Sequence, residues 1–257
     1  MLQQGLVNLS QSHLNLLSIC PPKFQQIYLD CLGSIPDPKQ QEGMQWGTRF
    51  HLLMQQRELG LPIESLLASD AELDSSIKSL INAVPELLEP KKDLWREAEH
   101  YRTLGYGNFV LNVIYDLLVA RSDKAIIFDW KTYRKPQKRV YLAGNWQTRL
   151  YLYVLTETSE YRPEQIQMTY WFVKSGKPTS ITFDYNRTLH QQTEEDLSEL
   201  LDRLDVWLED YQQDRIDLPH QSNCREKCPH YQFLHEENNH VNHQELLEAI
   251  ADIEEIP

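Results

Sequence analysis

Asp116, Asp129 and Lys131 are two carboxylates and an amine set close together in strand-like sequence, a combination able to carry a reaction. They fall within residues 111–133, LNVIYDLLVARSDKAIIFDWKTY, where two apolar runs flank Arg121-Ser122-Asp123-Lys124. Both runs are rich in Val, Ile, Leu and Tyr and read as the strands of a hairpin. Residues two apart in a strand share a face, so Asp129 and Lys131 project together. A two-residue loop at Ser122-Asp123 sets Asp116 across from Asp129, and a turn on Asp123-Lys124 sets it across from Lys131. A three-residue loop breaks the arrangement, because a one-residue slip flips the face. Converging carboxylates in an apolar sheet repel and are expensive to bury. A divalent cation removes that expense, and magnesium is commonly held by one or two carboxylates with water and phosphate. A neighbouring lysine can orient or deprotonate a water, or neutralise charge on a phosphate. The chemistry indicated is metal-assisted hydrolysis of a phosphodiester; the competing reading is an ordinary hairpin with surface charges. The pattern Asp/Glu-x-Lys occurs three times, but Asp37-Pro38-Lys39 and Glu89-Pro90-Lys91 carry a proline that argues against a central strand.

Periodicity assigns the helices and strands around this hairpin. Ser12 is a candidate cap for a first helix through Leu14, Leu16, Leu17 and Ile19. Pro21-Pro22 interrupts it, and Phe24, Ile27, Tyr28 and Cys31 continue at helical spacing. Residues 30–41 read as a loop, 46–59 as a helix carrying Gly47 and His51, and 65–88 as helical. Residues 95–106 should enter the sheet. Residues 145–155 form a helix with Gln147 and Tyr151 four apart, hence on one face. Residues 165–173 and 179–185 are a second hairpin, and 193–213 is an amphipathic helix. The expected class is α/β, a central mixed β-sheet flanked by helices.

The chain of 257 residues suits one large domain or a domain with appendages, and 41% hydrophobic content supplies a real core. There is no 18-residue apolar run and no basic leader followed by an apolar stretch, so neither a membrane span nor a signal peptide is expected. Four cysteines fit a reducing cytoplasm. The net charge of −13 excludes a surface coated in basic patches but leaves room for a local one. Residues 131–139, KTYRKPQKR, hold five basic residues and no acid, Arg134 and Lys135 among them. The last 22 residues hold seven acids and no Lys or Arg, which suggests an acidic tail or peripheral helix over 236–257.

Taken together, these segments resemble the RecB-like branch of the PD-(D/E)XK nucleases, which includes CRISPR-associated RecB-like exonucleases and AddAB nuclease domains. The resemblance covers most of residues 10–235. Ser10-x-Ser12-x-Leu14 with Cys20-Pro21 and Phe24 looks like the opening helix, and Gly47-x3-His51 like the histidine motif. Asp116 with Asp129-Trp130-Lys131-Thr132 looks like the catalytic hairpin, and Gln147-x3-Tyr151 like the helix motif of this branch. The resemblance implies a restriction-endonuclease-like core over 1–235. It implies Asp116, Asp129, His51 and the Trp130 carbonyl as ligands of Mg²⁺ or Mn²⁺; imidazole favours manganese somewhat. Lys131 would position the attacking water, and Gln147 and Tyr151 would organise the site or touch DNA. An upstream glutamate, Glu97 or Glu99, would support the site, and the sequence does not choose between them.

The cysteines depart from the pattern. Many relatives hold an iron–sulfur cluster with one early and three late cysteines; here Cys20, Cys224 and Cys228 fall near such positions, but the spacing differs and position 234 is Leu. A lost or degenerate cluster is the reading, with a zinc site of Cys20, Cys224, Cys228 and His235 compatible by ligand type.

The expected activity is a metal-dependent deoxyribonuclease acting on DNA ends or single strands in repair, recombination or defence. Residues 131–139 and Lys174–Lys177 would hold the backbone, and Trp130, Tyr133 or Trp146 would stack on bases or simply pack. A helicase or repair-complex partner follows from the family. The rival is a catalytically silent DNA-binding or scaffolding protein on the same fold.

Overall fold

The computed structural model describes residues 6–33, 38–68, 70–84, 94–133, 138–174 and 177–220. Arg134, Lys135, Cys224, Cys228, His235 and the expected 236–257 tail therefore lie outside the described residues.

Strands β1 (Val7–Leu9), β2 (Trp95–Tyr106), β3 (Phe109–Ala120), β4 (Ala125–Lys131), β5 (Ile166–Phe172) and β6 (Thr179–Asp184) form one mixed sheet. β2 pairs antiparallel along β3 from end to end except at Glu99 and Asp116. β1 and β4 therefore share the other edge of β3, β1 parallel at its start and β4 antiparallel at its end. β5 runs parallel to β4, and β6 pairs antiparallel with β5. The parallel pair needs a crossover, supplied by helices α6 (Arg139–Gly144) and α7 (Trp146–Glu157).

Two cores cover the two faces. On one, Leu14 and Leu17 of α1 (Gln11–Ile19), Leu150–Leu155 of α7, and Leu197, Leu200, Leu201 and Leu204 of α8 (Arg187–Asp214) pack on the sheet. On the other, Phe50, Leu53 and Met54 of α3 (Pro38–Glu58) pack with α4 (Glu64–Leu67) and with Leu73, Ile77 and Leu80 of α5 (Ala71–Ala83). The short α2 (Pro21–Phe24) follows α1 through Cys20, which is buried.

Several boundaries differ from the sequence expectation. The cap of α1 is Ser10, with Ser12 buried two residues further on, and His13 Nδ1 accepts the Ser10 N–H at 3.1 Å. α3 starts eight residues before Trp46, at Pro38, where proline is tolerated because a first-turn N–H has no helical partner anyway. The 65–88 segment divides at Asp70, whose carboxylate caps α5 through the Leu73 N–H. α8 starts at Arg187 behind an Asn186 cap; its polar first turn hid it. β1 is three residues long, too short to show alternation.

The central hairpin has the two-residue loop: Arg121 N–H donates to the Lys124 carbonyl, and Leu117 pairs with Phe128. The strands then part before Asp116 reaches Asp129. A second irregularity lies on the other side of β3. Phe109, Leu111, Val113 and Tyr115 face the α1/α7/α8 core, but Leu117 and Val119 face the α3/α5 core. β2 does the same: Leu104 and Tyr106 pack on the first core and Ala98 on the second. Both strands exchange faces between the same cross-strand partners, Ala98↔Leu117 and His100↔Tyr115. At the exchange sit Glu99, with φ 52°, and Asp116.

Candidate active site

The parting of β3 and β4 opens a gap at the sheet through which both helical layers reach the same place. Asp116 stands at its edge. One carboxylate oxygen, Oδ2, accepts the Trp130 N–H at 2.5 Å and so replaces the ladder bond that the parting strands give up. The other, Oδ1, faces His51 Nδ1 at 3.2 Å.

His51 arrives from α3. One turn earlier, Gly47 lies against Thr132 so closely that a Cβ there would come within 2.9 Å of Thr132 Oγ1. The missing side chain lets the helix settle onto the end of β4 and brings the imidazole to the sheet. His51 Nε2 lies 3.0 Å from the Trp130 carbonyl. A carbonyl only accepts, so Nε2 carries the hydrogen and the lone pair of the neutral ring sits on Nδ1. A lone pair and a carboxylate oxygen at 3.2 Å repel unless a proton or cation lies between them. A ligating histidine is commonly oriented in this way, through its other N–H to a backbone carbonyl.

Glu99 completes the group. Among the described residues, His51, Glu99 and Asp116 each offer a ligand atom, all within 4.8 Å of one another. Burial, then the Asp116 carboxylate, pushes the Glu99 carboxyl up to about 7, with His51 pulling the other way. One nitrogen and two carboxylates fit a divalent cation, whose charge would relieve that repulsion. The sequence left Glu97 and Glu99 open; the structure brings Glu99 into this group on a left-handed backbone, and no sequence signal foretold that conformation.

Asp129 and Lys131 approach from the opposite face, on the side of the α7 core. Both are buried, and Lys131 Nζ lies 3.0 Å from Asp129 Oδ1. Gln147 on α7 joins them, taking the Lys131 ammonium on Oε1 at 2.8 Å and giving its amide hydrogen to Asp129 Oδ2 at 2.7 Å. Tyr151, one turn on, is buried and hydrogen-bonded to Gln147. Burial, with Asp129 and Asp116 nearby, drives its hydroxyl far above its ordinary pKa, so it stays protonated. The Trp130 carbonyl faces His51 Nε2, and Asp129 faces Lys131 and Gln147.

Residues that sequence reasoning missed hold α7 in place. Asn145 caps it by accepting the Gln147 N–H at 2.8 Å. Asn15 of α1 donates to Asn145 Oδ1 and accepts the Trp146 N–H, both at 2.9 Å. Asn before an apolar run is a cap signal; the partnership with Asn15, 130 residues away, has none. Of the two roles open to the aromatics, stacking on bases or packing, the structure shows packing. Trp130 is buried against Phe128, Tyr133 packs on Phe172, and Trp146 is buried with its indole N–H on Ser18 Oγ at 2.7 Å. Lys174 lies over the Trp46 ring, 4.1 Å from its centroid. No helix among the described residues is long and apolar enough to cross a membrane.

Comparison with known proteins adds a family. A family model described as the PD-(D/E)XK nuclease superfamily matches residues 8–233. A solved chain from Eubacterium rectale, designated a putative exonuclease, superimposes with a TM-score of 0.52 at 10% identity, covering 95% of each chain. A second, designated SSO0001, has a TM-score of 0.33 at 12% identity over 75% of this chain and 76% of its own. The first likeness is one of fold. No curated protein matches the sequence.

Proposed function

The chain belongs to the PD-(D/E)XK nuclease superfamily, and from this we propose that it is a divalent-metal-dependent deoxyribonuclease of the RecB-like branch, acting on DNA ends or single strands. The observation that carries the reading is the meeting of two groups at one gap in the sheet: His51, Glu99 and Asp116 from one side, Asp129, Lys131 and Gln147 from the other. His51, Glu99 and Asp116 would hold Mg²⁺ or Mn²⁺, with Asp129 at hand beside them. A bound cation of this kind supplies charge neutralisation at a scissile phosphate. Lys131, fixed by two partners, orients the attacking water and stabilises negative charge developing on the phosphate oxygens. Gln147 holds that ammonium in register with Asp129 and, through Tyr151, ties both to the core. DNA repair, recombination or defence is the setting such an activity fits.

The test is cleavage of end-labelled single- and double-stranded DNA with Mg²⁺, Mn²⁺ or EDTA, with Lys131→Ala alongside. Cleavage should require metal and fall about a hundredfold or more in the variant. Product lengths then report polarity. The net charge of −13 favours a second reading, a silent scaffold. Metal binding and DNA binding without any cleavage by the wild type would establish that reading in place of the first.

A further inference from the structure

Residues three apart in a regular strand lie on opposite faces of the sheet. Glu97 and His100 of β2 are three apart, yet Glu97 Oε2 lies 2.8 Å from His100 Nδ1. The contact exists because the strand exchanges faces at the intervening residues, where Glu99 takes a left-handed conformation, φ 52°, that costs any residue with a Cβ. We propose that Glu97, His100 and Arg102 form a clamp across this exchange that holds the Glu99 carboxylate toward His51 and Asp116. They are positioning residues for the metal-binding group, and the proposal rests on the metal reading of Glu99 given above.

The polarity of the clamp follows from donor inventories. Arg102 Nε lies 3.0 Å from His100 Nε2, and an arginine nitrogen only donates. His100 Nε2 therefore accepts, Nδ1 carries the hydrogen, and that hydrogen goes to the Glu97 carboxylate. Arg102 is anchored in turn: its Nη1 donates to the Thr158 carbonyl at 2.7 Å and to Thr158 Oγ1 at 2.9 Å, at the residue that closes α7. The His100 ring stacks on Tyr115 with centroids 6.1 Å apart and planes 21° from parallel, and Trp95 meets its edge at 5.3 Å. Tyr115 is the neighbour of Asp116 in the chain. The clamp thus grips β2 on both sides of Glu99 and leans on β3 beside the residue that faces it. A left-handed residue inside a strand persists only where its surroundings over-determine it, and such residues gather at functional sites. This also assigns the two glutamates different work: Glu99 enters the donor group, and Glu97 fixes the backbone that delivers it.

The measurement is Mn²⁺ binding to the intact chain by titration calorimetry, without DNA, together with thermal unfolding in EDTA. The Glu97 side chain is 54% exposed, so Glu97→Ala should fold as the wild type does. Glu97→Ala and His100→Ala are expected to weaken Mn²⁺ binding by about tenfold while the unfolding midpoint of Glu97→Ala stays close to wild type. Glu97→Gln keeps an acceptor for the His100 N–H and should restore most of the affinity. Glu99→Gln is the control for the donor group. If Glu99→Gln weakens binding and Glu97→Ala does not, the clamp is overturned and the metal reading stands. If Glu99→Gln leaves binding unchanged, Glu99 is no ligand and both fall.

Discussion

Gly47 on α3 presses against Thr132, two residues beyond Trp130, and this contact sets how far His51 reaches into the sheet. Gly47→Ala brings a methyl group to 2.9 Å from Thr132 Oγ1. The helix must lift or Thr132 must turn. Alanine gains about 1 kcal/mol in helix propensity, so stability should change little while His51 is displaced. Metal-dependent cleavage is expected to fall about tenfold, a 1 Å misplacement being enough for that or more. Thr132→Ala in the same chain should recover most of the loss. A double-mutant cycle on cleavage rates that comes out additive would show that the two residues do not act together.

Gln147→Ala should be the more destructive change at the other half of the site. It takes a partner from the Lys131 ammonium and another from the Asp129 carboxylate, and both residues are buried. Leaving buried charged groups short of a partner costs about 1–3 kcal/mol each way it is measured. Urea unfolding should therefore shift by that order and the cleavage rate should drop as well. An unchanged midpoint would mean that water takes over the amide's role completely.

The N-terminus of α7 gives a gentler test. Asn145 accepts the Gln147 N–H and is held by Asn15. Asn145→Ala should lower stability by about 1 kcal/mol, as cap losses do. Asn145→Asp should restore the cap but meet the Asn15 amide as before. Equal unfolding midpoints for the Ala variant and the wild type in a chemical denaturation series would count against the capping role.

Much of this was legible in the sequence, for identifiable reasons. Asp129 and Lys131 lie two apart in an apolar run, and strand geometry alone puts them on one face; the structure places Nζ and Oδ1 3.0 Å apart. The Arg121–Lys124 loop fixed the hairpin register as one of the stated alternatives. Gln147 and Tyr151 needed only helical spacing. What stayed hidden depends on departures from regularity. Strand pairing carried one step further would have set Asp116 against Asp129, but the strands part and Asp116 takes the Trp130 N–H instead. The face exchange at Glu99 and Asp116 leaves the apolar pattern of β3 intact, because residues 117–119 are buried on both faces. Period-two reasoning therefore could not see it, and with it went the choice of Glu99 over Glu97.

Glu99 also predicts how the protein responds to pH. Its carboxyl is lifted from 4.5 to about 7, by burial first and by Asp116 second. Between those values the folded metal-free protein keeps a proton that the unfolded chain has lost. The contribution of Glu99 to stability is therefore fully present below pH 4.5 and is lost as pH rises through about 7. Metal binding has the opposite slope, because the carboxylate must be deprotonated to serve as a ligand. Mn²⁺ affinity is expected to rise by up to about tenfold per pH unit below pH 7 and to level off above it, with about one proton released per ion near pH 6 from this group. Calorimetry in two buffers of different protonation enthalpy counts that proton. Glu99→Gln should bind Mn²⁺ more weakly and lose this part of the pH slope. A wild-type affinity that stays flat from about pH 6 to 8 would show that Glu99 is already ionised in the folded chain, and that burial and the Asp116 carboxylate do not hold its proton.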